Sequence, residues 1–248
     1  MSTQSKCNNK LILMILLTMA VIAVIAIYFG IIRHHRTLSA SEVKIDGVFL
    51  ATAQDISDFQ LTDNQGKPFT KENLKKYDAV MFNTTGELPT TDEEKAAFVD
   101  FIRSGHGFVG SHTATDTFYG WKTYNDIVGG YFNGHPWHEQ VTIDVVDPSS
   151  KIVGFLAPSF QFSDEIYMES DFKADTSHIL LQLDTKSVDL KKPGAQRRPY
   201  GYPIAWTRMY GKGRVYCNNL GHDEADWKDP RFQEMLLNGI KWAMREIN

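Results

Sequence analysis

Two histidines, His112 and His222, each follow a short apolar stretch of the kind that forms a buried strand. His112 ends the run GFVGSH, and His222 ends the run GRVYCNNLGH. Ligands of open α/β sheets bind beyond the carboxyl ends of the strands, so the two side chains are predicted to face one crevice. Because imidazole titrates near neutral pH, this placement indicates acid–base catalysis by His112 and His222.

A second set of polar side chains is predicted to reach the same crevice. Asp116 stands four residues after His112 and either orients that histidine or caps the following helix. Asp164 and Glu165 are adjacent in the run SDEIY. On an extended segment at most one of them faces the crevice, while the other is solvated. Glu165 is the better carboxylate partner for the histidines, and Tyr167 lies on its side of the segment.

Other aromatic and basic side chains are candidates for contacts with a ligand. Trp206 and Arg208 share a face of the predicted strand IAWTRMY, where an aromatic plate and a guanidinium would suit a sugar ring. The alternative is a core tryptophan beside an arginine whose head reaches solvent. His135 and His138 have a spacing compatible with metal ligation, but Pro136 makes the segment a loop and no third ligand is fixed. We therefore assign no metal ligand, leave the cofactor open, and retain His135 as a substrate contact.

The elements that must position these residues alternate between strand and helix. DAVMFN is a short apolar run bounded by turn residues, typical of a buried parallel strand. A capping box at Thr91–Glu94 begins a predicted helix over 92–104, which leads directly into the GFVG strand. Further strands are predicted at EQVTIDVV, HILLQL, IAWTRMY and GRVYCNNL, and a final helix begins at Pro230 after the cap Asp229. The succession predicts an α/β fold with a doubly wound, mostly parallel sheet.

The amino-terminal part of the chain differs in composition from the rest. Residues 11–32 are 22 residues without a charge, and at about 1.5 Å each they can cross a hydrocarbon core of roughly 30 Å. A cleaved signal peptide is the alternative, but its apolar region is usually only about 7–15 residues long. We predict a cytoplasmic head at 1–10, a transmembrane anchor at 11–32, a tether at 33–44 and an α/β domain at 45–248. The chain would then be a single-pass membrane protein with its soluble domain in the periplasm or outside the cell.

Charge argues against a nucleic-acid partner, and cysteine content excludes a disulfide within the soluble part. Residues 1–36 contain 4 of the 26 basic residues and no acidic residue, so the remainder carries 22 basic against 30 acidic residues, a net charge of −8. That balance argues against nucleic acid as a partner. Cys217 is the one cysteine after residue 36, so an internal disulfide in the soluble part is excluded.

Several separated motifs, found in the same order, resemble the trehalose-utilisation (ThuA-like) family. They are GHGFVGSHTATDTFYGWKTYNDIVGGYFNGHP, DEIY and PIAWTRMYGKGRVYCNNLGHDEADWKDPRFQEMLLNGIKWA. The resemblance implies the fold of the class I glutamine amidotransferase-like superfamily, a flavodoxin-like sheet, and a role in carbohydrate metabolism. Family members begin with a strand and a helix ahead of the segment matched here by GVFLATAQD, and these two elements are expected to be missing from this chain.

The resemblance also implies roles for particular positions. In glutamine amidotransferases the bend after this strand carries a nucleophilic cysteine, and a late strand carries a histidine followed two residues on by a glutamate. His112 matches the cysteine position, and His222 with Glu224 matches the His-x-Glu pair. Cys217 lies inside the strand that leads to His222, so glutaminase chemistry through a thioester is not expected.

The functional hypothesis is a membrane-anchored domain that processes a sugar or keto-sugar by acid–base chemistry, as a hydrolase or a lyase. The predicted catalytic residues are His112, His222, Glu165 and Asp116. The predicted substrate contacts are Trp206, Arg208, Tyr167, His135 and Glu224. The two alternatives are a non-catalytic carbohydrate-binding or scaffold domain and a metal-assisted hydrolase.

Overall fold

A computed structural model describes residues 76–248 of the chain. The predicted head, anchor and tether and the segment GVFLATAQD all precede residue 76 and lie outside the described residues. Within 76–248, none of the helices has the length and apolar character that crossing a bilayer requires.

The described part begins with the predicted strand–helix–strand unit. It consists of strand β1 (Ala79–Phe82), helix α1 (Asp92–Ser104) and strand β2 (Gly107–Ser111), and the two strands pair in parallel. The predicted capping box is present: the Glu94 amide donates to Thr91 Oγ1 at 3.2 Å, and the Thr91 amide donates to Glu94 Oε2 at 2.8 Å. Because these bonds satisfy free amides of the first turn, α1 begins where the sequence predicts.

Short and long elements alternate through the rest of the chain. They are a 3₁₀ turn (His112–Asp116), helix α2 (Lys122–Val128), strands β3 (Tyr131–Phe132), β4 (Trp137–Val145), β5 (Ser159–Ile166), β6 (Glu169–Ser170), β7 (Ser177–Leu183), β8 (Pro203–Tyr210) and β9 (Gly213–Asn218), and helix α3 (Pro230–Ala243). The predicted strands correspond to β1, β2, β4, β7, β8 and β9. Strand β5 has no counterpart among them, because Ile166 is its one β-branched residue and most of its residues are polar.

Within residues 76–248, seven strands form one sheet in the order β1-β2-β9-β8-β7-β4-β5. The pairings β1–β2 and β2–β9 are parallel, while the four pairings from β9 to β5 are antiparallel. The prediction of a mostly parallel sheet is therefore wrong for residues 76–248. A two-residue turn at 211–212, with Gly211 at φ 59°, joins β8 to β9, and so short a link permits only antiparallel neighbours.

Helices α1 and α3 cover opposite faces of the sheet. Phe108 and Val109 are consecutive on β2, so their side chains point to opposite faces. Phe108 packs in one apolar cluster with Phe101 and Ile102 of α1, whereas Val109 packs in another with Met235 of α3. Strand β2 is thus buried on both sides, and its carboxyl end is a fixed edge for the residues that follow it.

The sheet also curls, so that its edge strand β5 returns towards β2. Four strands separate β5 from β2 in the sheet order, and a flat sheet would hold them about 24 Å apart. Glu165, near the end of β5, nevertheless lies 3.4 Å from His112, which directly follows β2. The curl therefore brings a carboxylate from the antiparallel half to the carboxyl ends of the parallel strands.

Candidate functional site

His112 occupies a sharp bend directly after β2. Its φ of 42° lies in the left-handed region, which costs a non-glycine residue roughly 1–2 kcal/mol, and its side chain is buried. Nδ1 lies 2.8 Å from the Asn219 carbonyl oxygen, which can only accept, so Nδ1 carries the proton. The bend has the strained geometry of a nucleophile elbow, with an imidazole where the resemblance implies a thiol.

Three side chains converge beyond the ends of β2 and β9, and we call His112, Glu165 and His222 the rim cluster. His112 Nε2 lies 3.2 Å from His222 Nδ1 and 3.4 Å from Glu165 Oε2. His222 Nδ1 lies 3.2 Å from the same Glu165 Oε2. The structure thus brings together two histidines that are 110 positions apart in the sequence, with the predicted carboxylate between them.

Burial and charge hold His112 in its neutral form. Burial lowers the pKa of His112, the hydrogen bond to the Asn219 carbonyl raises it, and repulsion from His222 lowers it again. The net shift is downward, even with the Glu165 carboxylate nearby. Neutral His112 therefore presents the lone pair of Nε2 to the centre of the rim cluster near neutral pH.

Aromatic and histidine rings surround the rim cluster. The His112 and Tyr167 rings are 4.3 Å apart, and Tyr167 in turn lies 4.2 Å from Phe132. His135 Nδ1 lies 3.0 Å from Glu165 Oε1, the oxygen that the other two histidines leave free, and its ring stacks on Phe132. Tyr167 and His135 are thus near the site as predicted from the sequence, and Phe132 is an addition that the sequence analysis missed.

Asp164 corrects the prediction that the second carboxylate of the DE pair is solvated. Its side chain is fully buried and accepts hydrogen bonds from the amides of Gly221 at 2.7 Å and His222 at 3.2 Å. Burial raises the pKa of Asp164 to about 7. Asp164 and Glu165 point to opposite sides of the strand as expected. The loop at 221–222 covers the side on which Asp164 lies, so Asp164 fixes the backbone that carries His222.

A second buried carboxylate, Glu169, lies beneath the rim cluster. Its Oε1 accepts from Asn219 Nδ2 at 2.7 Å and from Thr115 Oγ1 at 3.2 Å, and we call these three residues the buried polar pocket. Burial raises the pKa of Glu169 to about 7. The sequence analysis missed this residue, although a glutamate directly after the apolar run IYM indicates a carboxylate close to the core.

Asp116 does not contact the histidines in the part of the chain that the structure describes. Its carboxylate accepts hydrogen bonds from the hydroxyls of Thr85 and Tyr119. It therefore ties the turn after β2 to the loop after β1, and neither predicted role, orienting His112 or capping the next helix, is what the contacts show.

Trp206 and Arg208 lie in the core and not at the site. Trp206 is fully buried, and its indole donates to the Val128 carbonyl at 2.8 Å. Arg208 is also buried and pairs with Val215, three residues before the carboxyl end of β9 at Asn218. The prediction of a sugar platform at this pair is wrong, because the apolar character of β8 reflects burial on both faces.

Glu224 and Cys217 both lie away from the rim cluster. The Glu224 side chain is 85% exposed and pairs with Lys228, four residues later. The His-x-Glu spacing therefore does not place a carboxylate beside His222. Glu165 takes that place. Cys217 is buried within β9, and burial raises the pKa of its thiol, which makes it unsuited to act as a nucleophile.

The chain was compared with known families and structures. The family model described as trehalose utilisation (ThuA) matches residues 25–243. A protein from Bacteroides uniformis described as ThuA-like is 25% identical, with a TM-score of 0.60 over 70% of this chain and 71% of that one. A second, from Parabacteroides merdae, is 19% identical, with a TM-score of 0.57 over 76% and 78% of the two chains. No curated protein matches. The family match covers most of the sequence, and the chain belongs to the trehalose-utilisation (ThuA) family, whose fold is glutamine amidotransferase-like.

Proposed function

We propose that this chain is a carbohydrate-processing enzyme whose reactive centre is the rim cluster. The observation that carries the proposal is the convergence of His112, His222 and Glu165 within 3.2–3.4 Å at the edge where ligands of such sheets bind. Desolvating three ionisable groups together is costly and adds little stability, so such a cluster is typical of a functional site. Family membership supports a sugar or an oxidised sugar derivative as the substrate.

The cluster is suited to moving protons at carbon or oxygen. Neutral His112 can accept a proton at Nε2, and Glu165 is a second base within 3.4 Å of that atom. A ketone on a sugar acidifies the neighbouring C–H bonds, and a base of this kind can remove such a proton. The His222 side chain is 39% exposed, so it can exchange protons with solvent. Hydrolysis or elimination at a glycosidic bond is therefore the reaction class that we propose.

The rings beside the cluster offer a surface for a sugar. Phe132 and His135 stack with their ring centres 5.6 Å apart, and His135 is exposed. Aromatic faces pack against the C–H face of a pyranose, and this pair takes the role that the sequence analysis gave to Trp206 and Arg208.

Two alternatives keep the same site. Metal-assisted hydrolysis is supported by the donor atoms of the rim cluster, which all lie within 4.8 Å of one another. A non-catalytic sugar-binding or scaffold domain would use the same surface but would release its ligand unchanged.

We include in the proposal the anchor at 11–32 and an extracytoplasmic soluble domain, supported by the 22 uncharged residues. The native protein should be found in the membrane fraction with its amino terminus intact. An amino terminus near Ser39 or Ser41 would contradict the anchor.

The proposed activity is tested with the full chain, trehalose, other disaccharides and their 3-keto derivatives, with products separated by chromatography. We expect turnover of at least one of them, lost in His112→Ala and in His222→Ala. His178→Ala is the matched control, because His178 is an exposed histidine that pairs with Asp147 outside the cluster. Saturable binding of a sugar without any product would favour the binding domain instead.

A further inference from the structure

The donor atoms of the rim cluster form a nearly equilateral triangle. Its edges are 3.2 Å between His112 Nε2 and His222 Nδ1, 3.2 Å between His222 Nδ1 and Glu165 Oε2, and 3.4 Å between His112 Nε2 and Glu165 Oε2. We propose that these three atoms bind one divalent transition-metal ion of the zinc class. The inference deepens the proposed function and rests on it for the role of the ion, since it takes the rim cluster as the reactive centre. With the ion bound, His112 Nε2 and Glu165 Oε2 would be its ligands and not proton acceptors, so the inference favours the metal-assisted alternative.

The size of the triangle matches a tetrahedral ion. Zinc binds imidazole nitrogen and carboxylate oxygen at roughly 2.0–2.2 Å, which places neighbouring ligand atoms of a tetrahedron about 3.3–3.6 Å apart. The edge of 3.4 Å lies within that range, and the two edges of 3.2 Å are about 0.1 Å shorter. Two imidazoles and one carboxylate are also a donor set that zinc and its neighbours in the first transition row accept, while calcium and magnesium favour oxygen alone.

The proton positions leave one edge of the triangle without a bridging hydrogen. His112 Nδ1 donates to the Asn219 carbonyl, so Nε2 is the ring nitrogen whose lone pair is available to a ligand. That lone pair faces the Glu165 carboxylate oxygen at 3.4 Å. Two acceptors in this arrangement repel each other, and a cation between them turns the repulsion into two favourable bonds.

Outer contacts hold two of the three side chains and the backbone of the third. The Asn219 carbonyl orients the His112 ring, and Asp164 accepts the amide of His222 at 3.2 Å. His135 Nδ1 lies 3.0 Å from Glu165 Oε1, the carboxylate oxygen outside the triangle. Outer contacts fix the tautomer and direction of ligands at metal sites, and here they are present for the side chains of His112 and Glu165, while Asp164 holds the backbone of His222.

The cluster is open on one side. The side chains of His112 and Glu165 are 3% and 11% exposed, whereas that of His222 is 39% exposed. Three protein ligands leave the fourth tetrahedral position for water or a substrate oxygen, which is the arrangement of catalytic and not of structural zinc. A hydroxyl or carbonyl oxygen of a sugar is a ligand of suitable chemistry for that position.

A second group of donors competes for the same ion. The donor atoms of His138, His222 and Asp223 also lie within 4.8 Å of one another, but the side chains of His138 and Asp223 are each 48% exposed, more than any member of the rim cluster. His138 Nε2 already pairs with Asp223 Oδ2 at 3.1 Å, so these two groups satisfy each other. The buried triangle is the better site, and His138 provides a matched test of the choice.

The experiment uses the full chain without a histidine tag, stripped with a chelator and titrated with Zn²⁺ by calorimetry, with the metal content of the dialysed protein measured in parallel. We expect one ion per chain, and an affinity more than about 100-fold lower in His112→Ala and in Glu165→Ala, since even outer contacts of a metal site are worth about 10–100-fold. His138→Ala should bind zinc as the unchanged protein does. Absence of binding in the unchanged protein would overturn the inference, as would a loss of binding in His138→Ala with retention in His112→Ala.

Cobalt provides a measurement that does not depend on whether the variants fold. Co²⁺ added to the stripped, unchanged protein should produce the intense visible bands of a tetrahedral ion, and Zn²⁺ should abolish them. Weak octahedral bands alone would contradict the proposed geometry. Neither readout involves a sugar, so the metal site and the proposed activity are tested separately. Zinc binding without turnover would contradict the proposed enzyme and leave the metal site. Undiminished turnover by the stripped protein would show that the enzyme works without the ion, and it would overturn the ion's proposed role.

Discussion

Glu165 and Glu169 lie four residues apart on one segment, yet their surroundings are opposite. Glu165 reaches the rim cluster, where three histidines contact its two oxygens. Glu169 lies in the buried polar pocket with neutral donors, and its Oε2 has no hydrogen-bond partner among residues 76–248. The comparison teaches that one residue type has histidine partners and partial access to solvent at the strand-end edge, and only neutral donors and full burial at Glu169.

Asn219 connects the two regions. Its carbonyl oxygen accepts from His112 Nδ1, and its side chain donates to Glu169 Oε1. The pocket therefore sets the position of the residue that orients His112. We expect substitutions at the rim to remove function with the fold intact, and substitutions in the pocket to change stability first.

The largest expected effect comes from the rim histidines. Replacing His112 or His222 with Ala should lower kcat/KM by at least about 10³-fold, and the double replacement should cost little more than one, because groups that act as a unit are not additive. Steady-state kinetics of the two single variants and the double variant measure this, with His178→Ala as the unaffected control. Losses that multiply would show that the histidines act independently.

The pocket carboxylate should affect the pH dependence of stability. Glu169 has a pKa of about 7 in the folded protein and an ordinary pKa near 4.5 when unfolded, so between these values the unfolded chain releases a proton that the folded protein keeps. Its contribution to the free energy of unfolding is therefore present at low pH and declines as pH rises towards 7, by about 3 kcal/mol in total.

Glu169→Gln removes this titration and keeps an oxygen that can accept from Asn219. We expect the variant to be relatively more stable at pH 8 than at pH 5 when each is compared with the unchanged protein in urea unfolding. An identical pH slope in the two proteins would show that Glu169 does not titrate in this way. Glu165→Gln is the matched comparison, and it should lose turnover.

A smaller effect is expected at Asp164, which is fully buried and holds the backbone of His222. Asp164→Asn loses one of the two bonds to the 221–222 amides, and we expect kcat to fall about 10-fold to 100-fold. A change in the pH profile of kcat, with the melting temperature within a few degrees, separates a positioning role from general destabilisation. An unchanged kcat would contradict the role.

The smallest effect is expected at Cys217. The thiol is buried in β9 with the Val128 carbonyl 3.5 Å away, so the hydroxyl of Cys217→Ser keeps an acceptor. Turnover should stay within about two-fold, because the rim cluster does not include this residue. Loss of turnover in a folded Cys217→Ser variant would show that the site depends on the thiol.

The amino-acid sequence by itself determined the local elements and the ends of two strands. The capping box at Thr91, the apolar runs of β1, β2 and β9, and the histidines that follow β2 and β9 are properties of neighbouring residues, and short-range sterics and hydrogen bonds specify them. For the same reason the resemblance to the trehalose-utilisation family is visible in short motifs that survive in order.

The tertiary structure alone decided which side chains meet at those ends. Trp206 and Glu224 carry suitable chemistry in the sequence, but burial of β8 removes the first and solvent exposure removes the second. Glu165 reaches His112 because the twist of each strand pair accumulates over the five pairings from β2 to β5 and curls the sheet back on itself. No local sequence pattern predicts this accumulated twist, since it depends on how every intervening pair of strands packs.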